Sequence, residues 1–228
     1  MKYLRHLWAL GFLLNFTTHA ALYTYSYAPS GGVIIPEGNV SGWQNSTTFS
    51  GISGQSITDV SVTLNVSGGY NGAFYAYLEQ GSTIVVLLNR VGVGSSDPLG
   101  ASGSGLSSVV LSSLALNNIH TSLGSGTTGT FAPDGRNIDP LSASSAFDSA
   151  STTANFSPLI NSSPNGTWTL FFSDVVSGAG SPTLNSWELD INTVPEPVNV
   201  ALGIFAGLFL LRGCAGSEWA RRLFRRLP

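Results

Sequence analysis

The stretch Ile57-Thr58-Asp59-Val60-Ser61-Val62-Thr63-Leu64-Asn65-Val66 decides the fold class. Val60, Val62, Leu64 and Val66 recur at every second position, with Asp59, Ser61, Thr63 and Asn65 between them. Side chains alternate between two faces only in an extended strand, so this pattern predicts a strand that is apolar on one side and polar on the other. Gly68-Gly69 and Asn71-Gly72 follow, and they supply the positive φ angles of a tight turn. The pattern then resumes. Phe74, Ala76 and Leu78 form an inward face, with Tyr75 and Tyr77 opposite. After Gly81, residues 83–88 are almost continuously apolar, as expected of a strand covered on both faces. Trp168, Leu170 and Phe172 alternate inward again, as do Trp187, Leu189 and Ile191. No comparable stretch has a helical period, so residues 21–193 are expected to be all-β, as a two-sheet sandwich. Residues 92–130 are rich in Gly and Ser and predict a long loop region with one or two weak strands near Val109, Val110 and Leu111. Residues 141–157 predict an exposed crossover.

Charge is placed unevenly along the 228 residues. Between Ala21 and Thr193 there are ten acids and only two cations, Arg90 and Arg136, a formal charge of −8. Such a surface does not neutralise phosphates, which excludes nucleic acid as a partner. The remaining basic residues sit at the two ends, beside apolar runs, where membrane insertion uses them. A single cysteine, Cys214, excludes an internal disulfide framework and a cysteine-based metal site.

Residues 1–20 read as a secretory signal peptide. Lys2 and Arg5 begin it, residues 7–16 form its apolar core, and Thr18-His19-Ala20 ends it, with Ala21 as the expected mature start. The other end has three parts in order. Val194, Pro195, Glu196 and Pro197 come first, and their prolines deny backbone donors, which predicts an extended, accessible segment that leaves the sheet. Residues 198–216 form an apolar run expected to be a transmembrane helix. Arg212, Arg221, Arg222, Arg225 and Arg226 make the end basic, in the positive-inside sense.

Two family resemblances are carried by these residues. The opening strand, Tyr70-Asn71-Gly72, and above all Gly166-Thr167-Trp168-Thr169-Leu170 with Leu184-Asn185-Ser186-Trp187, resemble the P domain (homo B domain) that accompanies subtilisin-like proprotein convertases. That resemblance implies a jelly-roll β-sandwich. The family's His and Asp after the first clear strand are absent here, and Gly178-Ala179 stands where the family often has Gly-Asp. The tail, with Pro195-Glu196-Pro197, an apolar run and terminal arginines, resembles the PEP-CTERM sorting signal. That likeness implies processing near Pro-Glu-Pro by an exosortase, in Gram-negative bacteria that make extracellular polysaccharide. The extension beyond Arg212 is longer than that family's usual basic end.

Trp168 and Trp187 are expected in the core, on the inward side of their strands. The mature region holds one histidine, His120, in the Gly/Ser-rich stretch, where it reads as a solvated loop residue. No nucleophile elbow, zinc motif or phosphate-binding loop is present. No catalytic residue is therefore assigned. No cofactor is expected; Asp134, Asp139 and Asp174 are the acids available should a calcium ion bind. The expected function is that of an exported, non-enzymatic surface or matrix protein, transiently held in the membrane and processed by an exosortase. Exopolysaccharide or surface proteins would be its partners. The alternative is an extracellular hydrolase, or an accessory module, acting on polysaccharide or protein, a hydrolase of glycosides using a carboxylate pair.

Overall fold

The alternating stretch at residues 57–66 lies inside one of the two longest strands of two stacked sheets. The computed structural model describes residues 20–178 and 180–196, together with 204, 205 and 208. In chain order the strands are β1 (Ala21–Tyr27), β2 (Val33–Ile34), β3 (Trp43–Phe49), β4 (Gln55–Ser67), β5 (Phe74–Gln80), β6 (Thr83–Asn89) and β7 (Leu106–Ser112). A short helix α1 (Ile119–Ser122), strand β8 (Gly129–Phe131) and a second short helix α2 (Ser144–Asp148) follow. Strands β9 (Gly166–Asp174) and β10 (Thr183–Pro195) close the fold. The first sheet has the order β1-β10-β4-β7-β8, with β2 also on β10; the second has the order β3-β9-β5-β6. The chain is all-β in class.

Alternation in sequence becomes burial in space. Val60, Val62, Leu64 and Val66 of β4 face Phe74, Ala76 and Leu78 of β5 and Trp168, Leu170 and Phe172 of β9 across a single core. From Val85 onward β6 is buried on both faces, as its unbroken apolar run requires. Both motif tryptophans are buried, and each polar tip is satisfied. Trp168 Nε1 donates to the Pro164 carbonyl at 3.0 Å, and Trp187 Nε1 donates to Asn45 Oδ1 at 3.1 Å. Burying one such ring removes enough apolar area to contribute roughly 4–6 kcal/mol of transfer free energy. The Gly/Ser-rich region contains two strands, β7 and β8, which run parallel to each other. The crossover at residues 141–157 is exposed over most of its length, with Phe156 buried in the core and Phe147 buried against His120.

Two strands carry a pattern that aliphatic alternation does not reveal. The inward positions of β1 are Tyr23, Tyr25 and Tyr27, and those of β3 are Trp43, Asn45, Thr47 and Phe49. They meet across the open side of the sandwich. Tyr23 packs edge-on to Phe49 at 6.2 Å, Tyr27 lies 5.5 Å from Trp43, and the Tyr25 hydroxyl donates to Asn45 Oδ1 at 2.8 Å.

Residues 20–194 form one compact unit. Its first strand pairs with its last in an unbroken register from Ala21↔Thr193 to Tyr27↔Trp187. The strand assignment runs on through Val194 and Pro195, two residues further than the prolines suggest, although the paired register with β1 ends at Thr193. Val194 is 36% exposed and Glu196 is exposed. The expected signal peptide (apart from Ala20), Pro197 and the arginines at 212, 221, 222, 225 and 226 lie outside the described residues. Of the expected transmembrane segment only Ile204, Phe205 and Leu208 are described, as exposed helical residues. No helix of the described residues is long and apolar enough to cross a membrane.

Candidate functional site

A polar cleft of about 850 Å³ opens at one end of the sandwich's loops. It is built by the loops after β4, β6, β7 and β8 and by α1 and α2, with Tyr70, Asp97, Leu99, His120, Arg136 and Asp148 in its wall. These loops are pinned to β6. Asp134 and Gly135 donate their backbone N–H groups to the carbonyls of Leu87 and Val86, at 3.1 and 2.9 Å. Asn89 Nδ2 donates to the Arg136 and Ile138 carbonyls, both at 3.0 Å. Asn118 caps α1, accepting the His120 N–H at 3.0 Å, while its own amide donates to the Pro133 carbonyl at 2.7 Å. A cap residue with this double role fixes where the first turn of α1 sits relative to Asp134.

His120 is thereby driven inward. It is 6% exposed, which corrects the solvated loop position expected from composition. Its Nδ1 lies 2.7 Å from Asp134 Oδ2, and its Nε2 lies 2.9 Å from the Val93 carbonyl oxygen. Asp134 is fully buried and also accepts the Asn89 N–H at 3.2 Å and Arg136 Nη1 at 3.1 Å. Phe147 stacks on the imidazole with ring centroids 6.1 Å apart, and the Arg90 guanidinium lies 5.9 Å from the same ring. Arg136 Nε donates to the Phe147 carbonyl at 3.1 Å, which ties α2 to this network.

An Asp–His pair invites comparison with a catalytic triad, and the geometry argues against that use. A general base needs one ring nitrogen directed at a nucleophile. Here the far nitrogen is spent on a backbone carbonyl and the near one on Asp134. Buried ion networks of this kind order a fold more than they react. The carboxylates on the cleft wall are those of Asp97 and Asp148. Asp148 is held below the usual carboxylate range by hydrogen bonds from the Ser95 hydroxyl and backbone N–H. Asp97 Oδ1 accepts the Gly100 N–H at 3.0 Å within its own turn.

The acids named for calcium are not gathered. Asp134 is committed to His120 and Arg136. Asp139 Oδ1 accepts the Leu141 N–H at 2.8 Å. Asp174 ends β9, where its Oδ1 accepts the Val176 N–H at 3.1 Å and its buried Oδ2 has no partner among the described residues. Burial raises this carboxyl to about 6, opposed by the Val176 N–H and reinforced by the charge of Glu37. Among the described residues no group of three His, Cys, Asp or Glu side chains is close enough to hold a metal ion. Among the described residues these acids do not make a calcium cage of the usual six to eight oxygens.

No family model matches the chain, and no curated protein matches it. Two solved structures are distantly similar. The serine protease of Aeromonas sobria in complex with its chaperone superposes at a TM-score of 0.41, with 14% identity, covering 78% of this chain and 27% of that one. The same organism's serine protease in a separate crystal structure gives 0.40, 14%, 77% and 27%. This chain therefore matches about a quarter of the length of those structures, and a likeness at that level assigns neither fold family nor activity.

Proposed function

We propose that this chain is an exported, non-enzymatic cell-surface or extracellular-matrix protein, sorted through its tail by an exosortase-type enzyme. Its lasting body is a P-domain-like sandwich with jelly-roll connections. The observation that carries this reading is the pairing of Ala21 with Thr193. The sandwich begins at the expected cleavage point and completes its paired register one residue before Val194-Pro195-Glu196-Pro197. Removing both terminal segments would cost it no paired strand. The exposure of Glu196 supports recognition of the motif by a processing enzyme. The cleft wall offers carboxylates, backbone amides, Arg136 and Tyr70, a set of groups suited to a hydroxyl-rich polymer such as exopolysaccharide.

One observation favours a second reading, as a glycoside hydrolase: Asp97 and Asp148 share the cleft. That chemistry needs one protonated and one ionised carboxyl, and Asp148, held low by Ser95, fits only the ionised role. The non-catalytic reading is preferred on the tail motif and the register completed at Thr193. Deleting the exosortase from the producing cell tests it. The chain should then accumulate in the membrane fraction, and undiminished release would overturn the proposal.

A further inference from the structure

The four sheet edges of this sandwich are treated unequally. On one side, β8 is only three residues long and is followed by Pro133. Beside it, the free edge of β6 is covered by its own chain, through Asp134 and Gly135 donating to Leu87 and Val86 and Val86 donating to the Ala154 carbonyl. These are the usual ways of closing an edge. On the other side, β1 and β3 are both edges, both seven residues long, and no described segment pairs with their outer flanks.

Among the described residues strand β1 has none of these protecting features. Ala21-Leu22-Tyr23-Thr24-Tyr25-Ser26-Tyr27 contains no charge, proline or glycine, and its register with β10 is unbroken by a bulge. This neutrality stands out in a domain of formal charge −8. The outward side chains are Leu22, which is 58% exposed, Thr24 and Ser26. The inward tyrosines are only half-buried at the mouth of the sandwich.

From this we infer that β1 is a self-association edge, and that its occupant is β1 of a second copy of the chain, antiparallel about a two-fold axis at Thr24. The sequence is self-complementary in that register. Thr24 meets Thr24, Leu22 meets Ser26, and Tyr23 meets Tyr25, so no like charges are opposed. Two seven-residue strands form about seven interchain backbone hydrogen bonds, which satisfy donors and acceptors only another strand can match. Charge does not forbid the contact. The nearest acids, Glu188 and Asp190, sit on β10 one strand in, and Asp190 already accepts from Thr24 Oγ1 at 2.6 Å. Across three strand spacings the two Asp190 side chains are about 14 Å apart, beyond a Debye length of about 8 Å at physiological salt. This inference rests on the sheet edges alone and stands or falls separately from the sorting proposal.

The test uses the purified full chain. Thr24→Cys in a Cys214→Ser background should give a reductant-sensitive dimer on mild oxidation, because directly opposed antiparallel residues lie about 4.5–5.5 Å apart at Cα, within disulfide reach. Leu116→Cys, on an exposed connection elsewhere, should give none. In sedimentation of the purified chain, Thr24→Lys with Ser26→Lys should weaken association about tenfold or more, with tryptophan near-UV dichroism unchanged. A Thr24→Cys chain that gives no dimer would overturn the proposal, as would equal cross-linking at Leu116→Cys. So would a lysine variant that stays folded and associates like the parent.

Discussion

His120 Nδ1 lies 2.7 Å from Asp134 Oδ2, with both side chains buried beneath the cleft. The pair acts as a joint between α1 and the segment anchored on β6, and Arg136 extends the joint to α2. Its role is to hold the cleft wall in one arrangement.

Removing the imidazole leaves the buried Asp134 Oδ2 with the Asn89 N–H, at 3.2 Å, in place of its shorter contact. His120→Ala should therefore destabilise the sandwich by about 3 kcal/mol. In a domain of this size that corresponds to a fall of roughly 6–12 °C in Tm, measured by calorimetry. A variant as stable as the parent would show that the network is incidental.

Asp174 makes stability depend on pH in an unusual direction. Its folded-state value of about 6 exceeds the ordinary 3.8, so the folded protein binds the proton more tightly than the unfolded chain. The associated stability is full below the ordinary value and is lost as pH rises through about 6. Asp174→Asn removes that dependence and should stabilise the protein at pH 7 by of order 1–2 kcal/mol, read from urea denaturation at several pH values. Destabilisation at pH 7 would indicate that the carboxylate has a partner when ionised.

Glycines at positive φ divide into two kinds. At Gly100 (φ +77°) an added Cβ would lie 2.5 Å from the Val91 carbonyl oxygen, whereas at Gly51 (φ +74°) it would meet nothing within 4 Å. Gly51→Ala should cost about 1–2 kcal/mol from backbone strain alone. Gly100→Ala adds a backbone clash and should cost about 3 kcal/mol or more, with loss of the cleft's shape. Thermal melts of the two variants separate the contributions.

Asp148 is an exposed cleft residue outside the buried joint. Asp148→Asn keeps an oxygen for the Ser95 N–H, so it should lower Tm only slightly while reducing retention on immobilised exopolysaccharide about tenfold, the loss of one charge-assisted hydrogen bond. Unchanged retention would remove the cleft from the binding account.

Much of the sandwich is legible as sequence because its inner strands are aliphatic. Val60 to Val66, Phe74 to Leu78 and the two tryptophan strands declare their faces by alternation, and those faces are the ones buried. Strands β1 and β3 are hidden because their inward positions are Tyr, Asn and Thr beside Trp and Phe, residues that a search for aliphatic alternation passes over. The recurrence of tyrosine at 23, 25 and 27 was the available signal. The cleft is hidden for a different reason. His120, Asp134 and Val93 are brought together by loops, and no local period links residues so spaced. Asn118, placed to cap a turn, was the one local clue that residues 119–122 are not plain loop.

The most direct test of the central claim is mass spectrometry of the mature protein recovered from the cell surface or matrix. Processing at both ends gives an N-terminal peptide starting at Ala21 and a C-terminal peptide ending at or near Pro195, Glu196 and Pro197, with no peptide containing Arg221, Arg222, Arg225 or Arg226. An intact arginine-rich C-terminus on all of the surface-located protein would contradict it.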